Sequence, residues 1–357
     1  MKEICPGPGV PGLVSVIIPT YNRAHMIGQT IESVLAQTYE PIEIIVIDDG
    51  STDNTSDVVA RYGGAVRYLK QSNAGVAAAR NTAFGIARGE YIALIDSDDR
   101  WQPWKTELQV AFMKRWPQAG MVWTDMAAIN ESGAVIAETY LRTFYKAHQE
   151  VAIEDVMTNV GTVADLSVAV PETLRGRPIY RGDIFPHLIR GTLVHTPTTL
   201  LRRERVRGTR GYDESLRLTG EDFDFHLRTA VQGEVGFLDV PAIEYRVGHA
   251  DQLTAPALAL AMARAYLKTV QHWLSEHGDR FALRASEKAQ LVTSAHQWVG
   301  EQALIAGERG AARQHLLRSL RGSPTQPKLY LLLTLATLPA ALFGTVRKLR
   351  RRLRRAP

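Results

Sequence analysis

Acids gather in this sequence at three places where they could do chemistry. Asp48-Asp49 follows the apolar run 42–47, and Asp96-Ser97-Asp98-Asp99 follows the run 91–95. Glu221-Asp222 opens a stretch in which Phe223, Phe225 and Leu227 look like the buried face of a helix. Alternate carboxylates leaving a buried strand can offer oxygen to a hard divalent cation, whose other positions then take phosphate oxygens. The plainer alternative for Asp96-Ser97-Asp98 is a polar turn. For Glu221-Asp222 it is a helix N-terminus, where the dipole favours acids anyway. Ser51, Thr52 or Asp53 is expected to cap the helix that follows, and Asp99 could do the same near Trp104.

The elements that would position these acids alternate between two periods. Runs at 13–18, 42–47, 66–69 and 91–95 are short and rich in β-branched and other apolar residues. Helical stretches at 27–37, 55–62, 75–87 and 104–115 separate them, and a further strand is expected at 121–124. This alternation predicts an α/β fold, a doubly wound, mostly parallel sheet flanked by helices. Right-handed crossovers then carry the strand ends, with Thr20-Tyr21, Asp48-Asp49 and Asp96, to one edge, where open α/β sheets bind ligands. Residues 126–195 are less regular, and 183–188 reads as loop to helix. Beyond Asp251 the pattern becomes a helical extension, with helices expected at 256–277, 282–306 and 310–320.

Composition bounds the remaining possibilities. The chain has 357 residues, 45% hydrophobic and 22% charged, the proportions of a folded protein with ample core. A single cysteine, Cys5, excludes an internal disulfide framework and fits a reducing compartment. The glycines Gly7, Gly9 and Gly12 match a dinucleotide-binding spacing. No strand precedes them and Pro6, Pro8 and Pro11 interrupt them, so 1–12 reads as a flexible leader.

The net charge of +5 sits almost entirely in 347–357, which holds seven Lys and Arg and no acid. Without those seven, 35 basic residues face 37 acidic ones, a net of −2. The run 329–346 just before them has no charge over 18 residues. As a helix it would be about 27 Å long, slightly short of a ~30 Å hydrocarbon core. Residues 323–357 are therefore expected to associate with a membrane surface, with a true span or a helix packed on the body as the alternatives. A basic cluster gains about 1 kcal/mol per residue near an anionic leaflet. No nucleic-acid partner is expected, because the run lacks interleaved aromatics.

Seven motifs in order then point to a family. They are Ser15-Val16-Ile17-Ile18-Pro19-Thr20-Tyr21-Asn22, Asp48-Asp49-Gly50-Ser51-Thr52-Asp53, Asn73-Ala74-Gly75 with Ala79-Arg80-Asn81, and Asp96-Ser97-Asp98-Asp99. Gly211-Tyr212-Asp213-Glu214, Gly220-Glu221-Asp222-Phe223-Asp224 and Tyr245-Arg246 with His249 complete the set. Together they resemble glycosyltransferase family 2 over roughly 13–254, in the manner of bacterial cell-surface polysaccharide enzymes.

The resemblance implies the A-type glycosyltransferase fold and an inverting, metal-dependent transfer of a hexosyl or N-acetylhexosaminyl group from a nucleotide sugar, a UDP-sugar, to a glycan or lipid-linked acceptor. It divides the chain into a nucleotide-sugar-binding half (13–125), an acceptor-binding and catalytic half (126–254), a helical extension (255–322) and the tail. By this likeness Thr20 and Tyr21 line the nucleoside pocket, Asp49 with Asp48 holds the base, and Arg80 lies against uracil or diphosphate. Arg80 could otherwise be an arginine on a helix surface. Asp98 would bind Mg²⁺ or Mn²⁺, with Asp96 on ribose or metal, and His249 would complete the metal shell or stay structural. Asp222 would be the base and Glu221 its positioning neighbour, whereas Asp213 and Asp224 read as structural. The site would lie at the cytoplasmic face of the membrane. A nucleotidyltransferase would need a glycine-rich basic loop near the first strand, and 19–23 offers one arginine and no glycine. A module that binds nucleotide sugars without turnover is the other alternative.

Overall fold

β-Branched runs buried on both faces form the centre of the molecule, as parallel strands between helical layers require. The structure, a computed structural model, describes residues 3–248 and 256–338, and it divides into two units at 252/253.

In the first unit, β1 (Val10–Thr20), β2 (Ile42–Asp48), β3 (Val66–Lys70) and β4 (Gly89–Leu94) follow the predicted runs. Helices α1 (Ile27–Leu35), α2 (Thr55–Ala60), α3 (Val76–Ile86) and α4 (Lys105–Arg115) follow the predicted helices. β1 pairs in parallel with β2 and β4, and β2 with β3. The register sets Thr20 beside Asp48. Ala77, Ala78 and Ala79 are buried on α3, and their small side chains let it lie against β1 and β2.

The sheet then becomes mixed. The chain adds β5 (Arg100–Trp101), β6 (Met121–Ile129), β7 (Val135–Ala137), β8 (Thr158–Thr162), β9 (Pro178–Gly182), β10 (Leu200–Arg202) and β11 (Val235–Arg246). Their order is β3-β2-β1-β4-β10-β6-β11-β9-β8, with β5 paired to β11 and β7 to β6. β10 runs antiparallel between β4 and β6, so a strand from beyond residue 125 is built into the middle of one continuous sheet. Both expected halves, 13–125 and 126–254, contribute strands to it. β11 was not anticipated, although its nearly continuous apolar run is of the kind a strand buried on both faces shows. Short helices α5 (Leu141–Phe144), α6 (Ala147–Glu150), α7 (Ile153–Val156), α8 (Phe185–Leu188) and α9 (Arg203–Thr209) lead to α10 (Glu221–Ala230).

The leader expectation is corrected. Cys5 is fully buried, its N–H donates to the Phe84 carbonyl at 3.1 Å, and the Val10 N–H donates to the Arg88 carbonyl at 2.8 Å. Arg203 donates to the Pro6 carbonyl at 2.5 Å, and Arg207 to those of Cys5 and Gly7. Two arginines some two hundred residues away thus satisfy carbonyls of a segment that has no ladder of its own.

The second unit contains α11 (Ala259–His277), α12 (Ala285–Ala306), α13 (Arg309–Gly322) and α14 (Pro327–Thr337). The first three match the predicted helices. α12 ends at Gly307, whose φ of 90° suits glycine. α14 corrects the boundary at 322/323: Leu329 packs with Leu316 and Leu320, and Ala336 packs with Ala303 and Ala312. The start of the uncharged run is thus a packed helix, and its remainder, with the basic tail, lies outside the described residues. No helix among the described residues is long and apolar enough to cross a membrane.

Candidate active site

Parallel pairing of β1, β2 and β4 aligns the carboxyl ends that carry Asp48-Asp49 and Asp96, and Arg80 brings Glu221-Asp222 of α10 to Asp96. The Asp49 N–H donates to the Thr20 carbonyl at 2.8 Å, and the Asn22 N–H to Ser51 Oγ at 2.8 Å. Asp49 Oδ1 accepts from Gln71 Nε2 at 2.7 Å and from the Ala74 N–H at 2.9 Å, while Oδ2 accepts the Gly75 N–H at 2.7 Å. Asp48, fully buried, accepts from the Ser51 N–H at 2.7 Å and from the Tyr68 hydroxyl at 2.5 Å. Both aspartates therefore already hold the loops around the site. Thr20 is buried with its Oγ1 unpartnered, whereas Tyr21 is 46% exposed.

Caps turned out partly as expected. Asp53 accepts the Thr55 N–H at 3.0 Å at the start of α2. Asp99 caps nothing at α4: it is fully buried, its Oδ1 accepts the Arg246 N–H at 3.1 Å, and its Oδ2 has no partner. Burial, then Asp98 and Asp96, push its carboxyl well above the usual range.

Arg80 organises the centre. It is 2% exposed, which excludes the surface alternative. Nη2 donates to Asp96 Oδ1 at 2.9 Å, and Nη1 to Asp222 Oδ1 at 2.6 Å and Glu221 Oε1 at 3.4 Å. Its neighbour Asn81 receives the Tyr212 N–H at 2.8 Å and donates back to the Tyr212 carbonyl at 3.0 Å and to Glu214 at 2.9 Å. The Tyr212 ring stacks on Phe225 of α10 at 4.1 Å, so α3 fixes where α10 begins. Gly220, just before Glu221, has φ 87°, a left-handed turn that a side chain would strain.

The carboxyls differ in environment. Burial, reinforced by Asp222 and opposed by Arg80, lifts Glu221 to about 8. Burial also lifts Asp96 to about 6 against the pull of Arg80, although its side chain keeps 35% exposure. Asp222 is 37% exposed, and its Oδ2 accepts no hydrogen bond from the described residues. Asp98 meets only Arg23 Nε, at 3.9 Å, among the described residues. Arg246 fixes the backbone beside it, donating to the Asp98 carbonyl at 3.2 Å. Asp224 pairs with Arg228 at 2.7 Å and Asp213 accepts the Ser215 N–H at 2.9 Å.

Residues 15–165 match the family model described as Glycosyl transferase family 2. The chain carries a glycosyl transferase family 2 domain. An uncharacterized glycosyltransferase of Rickettsia felis is 35% identical over 181 residues, 50% of this chain and 28% of that protein. The Escherichia coli UDP-Glc:alpha-D-GlcNAc-diphosphoundecaprenol beta-1,3-glucosyltransferase WfaP is 46% identical over 104 residues, 29% of this chain and 41% of that protein. The chain thus spans less than half the length of both relatives. S. aureus TarS 1-349 in complex with UDP-GlcNAc superposes with a TM-score of 0.57 at 17% identity, covering 90% of this chain and 84% of that one. That likeness shows the A-type glycosyltransferase fold.

Two histidines near Asp222 escaped the sequence reading. His195 Nδ1 lies 2.8 Å from the Tyr145 hydroxyl and its Nε2 is buried without a partner. His226 Nε2 lies 3.2 Å from Thr196 Oγ1. Burial depresses them to about 3 and about 4, so both are neutral at ordinary pH. No spacing could have found them, since 195 and 226 meet only in the fold.

The family implies a divalent metal, and the donors present fit one. Asp98, without a hydrogen bond, and the second oxygen of Asp96 are hard oxygen ligands of the kind Mg²⁺ takes one or two of before phosphates complete its shell. No group of three or more His, Cys, Asp and Glu gathers as a complete cage among the described residues. His249 lies outside them.

Proposed function

We propose that this protein moves a sugar from a UDP-sugar to a hydroxyl of a glycan or lipid-linked acceptor, with inversion at the anomeric carbon. The observation that carries the reading is the single buried guanidinium of Arg80, which ties Asp96 on the donor side to Glu221 and Asp222. The relatives named for UDP-glucose transfer and for bound UDP-GlcNAc support the donor class.

In this reading Thr20 and Tyr21 line the nucleoside end, and Asp48 and Asp49 shape it, Asp49 by holding the 73–75 loop and Asp48 by holding Ser51 and Tyr68. Asp98 and Asp96 would hold Mg²⁺ or Mn²⁺, which when bound neutralises charge on the departing diphosphate. Asp222, anchored through Oδ1, keeps Oδ2 for the acceptor hydroxyl. It accepts the proton as the new C–O bond forms and the bond to the nucleoside diphosphate breaks. Attack from the face opposite the leaving group inverts the centre without a covalent intermediate. Glu221 holds its proton through burial and positions groups by hydrogen bonding. The chain would work at the inner face of a membrane, held there by the seven basic residues of 347–357.

A panel of nucleotide sugars, with and without Mn²⁺, tests this by nucleotide release and thermal stabilisation. A UDP-sugar should stabilise the protein with metal and be turned over with an acceptor. Failure of every donor to stabilise or react would overturn the reading.

A further inference from the structure

The hairpin of α12 and α13 carries charge that sugar transfer does not use. Lys288, Val292 and His296 recur every four residues on α12, and His315, Arg318 and Arg321 every three on α13, so each set lies along one helix face. The two faces border a groove of about 550 Å³ whose lining includes Lys288, Arg318, Arg321 and His296 and no acid. Leu274 and Val292 supply an apolar side. At its end Gly322 lies tight against the Thr293 side chain, where a Cβ would stand 2.2 Å from Oγ1.

Charge in the groove is unbalanced. None of Lys288, Arg318 and Arg321 makes an ion pair among the described residues. His296 and His315 face each other Nδ1 to Nδ1 at 3.0 Å, one donating and the other accepting. Burial, and then the nearby Arg318, hold both below the ordinary histidine range. Gathered cations without acids attract a multivalent anion, and a guanidinium fork matches phosphate oxygens in pairs.

We propose that this groove binds a phosphate or diphosphate group, either free or carried on a lipid headgroup. The proposal does not depend on the function proposed above.

Calorimetric titration of the full chain tests it. EDTA is present so that metal-dependent diphosphate binding elsewhere does not contribute. The probes are inorganic diphosphate and the short-chain lipid dihexanoyl phosphatidylglycerol. At least one should bind saturably, and which one does identifies the source of the phosphate. Arg318→Gln should weaken that binding by about tenfold. Arg313→Gln removes the same charge from an exposed position of α13 outside the groove and should leave it unchanged. Lys288→Gln, on the other helix, gives an independent loss should Arg318→Gln disturb folding. Absence of saturable binding to both probes, or equal weakening by Arg313→Gln and Arg318→Gln, would overturn the proposal.

Discussion

Arg80 Nη1 lies 2.6 Å from Asp222 Oδ1, a pair 142 residues apart in sequence. The guanidinium is buried, while the carboxylate keeps more than a third of its surface open. A fixed, always charged donor therefore orients one oxygen of an acid whose other oxygen remains available.

Asp222→Asn preserves an oxygen for Arg80 and removes the proton acceptor. Turnover should fall about a hundred- to ten-thousandfold. Donor affinity, read by nucleotide-sugar titration, should stay close to the parent value. Full turnover in the variant would remove Asp222 as the base.

Arg80→Met keeps the apolar stem and leaves Asp96, Glu221 and Asp222 without their shared cation. Breaking a buried ionic cluster costs about 3 kcal/mol. Solvent at Asp96 and Asp222 holds the value near the low end of the range for such losses. Urea unfolding measures it, and a loss below about 1 kcal/mol would show that the cluster relaxes into water.

Glu221 gives stability a pH dependence. Its carboxyl rises from 4.5 to about 8 on folding, so between those values the folded state binds more protons than the unfolded state. Stability from this group is complete below about pH 4.5 and is lost as pH climbs through about 8, by at most about 1.4 kcal/mol per pH unit. Glu221→Gln cannot ionise, so its unfolding free energy should fall less between about pH 5.5 and 7.5. Unfolding curves at the two values give the slopes, and identical slopes would assign the effect to another group.

Ending the chain at Leu338 keeps α14, whose Leu329 and Ala336 are fully buried, and removes the basic tail. Thermal unfolding should be preserved while sedimentation with anionic vesicles drops sharply. Ending it after Gln326 instead should lower the melting temperature, because Leu316 and Leu320 lose the helix that covers them. Undiminished vesicle binding by the 338-residue chain would place the membrane contact outside the tail.

Most of the first unit's frame was legible in the residues. Alternating apolar runs placed β1 to β4 and α1 to α4 within a few positions, and the parallel crossovers put Thr20, Asp48 and Asp96 on one edge. The helices at 282–306 and 310–320 were legible for the same reason. Strand pairing by β10 was not, because three residues carry no period from which to read a partner.

Local pattern and order of motifs are what the sequence by itself determined, since periodicity, turns and caps depend on neighbours a few positions away. Which charges become buried, and against what, only the tertiary structure decided. Arg80 keeps a surface alternative until residues 96, 221 and 222 close over it. His195 and His226 carry no signal until Tyr145 and Thr196 reach them. The first residues look like a leader until Arg203 and Arg207 take their carbonyls. Burial makes a charge or carbonyl costly unless a partner arrives, and these partners come from remote parts of the chain.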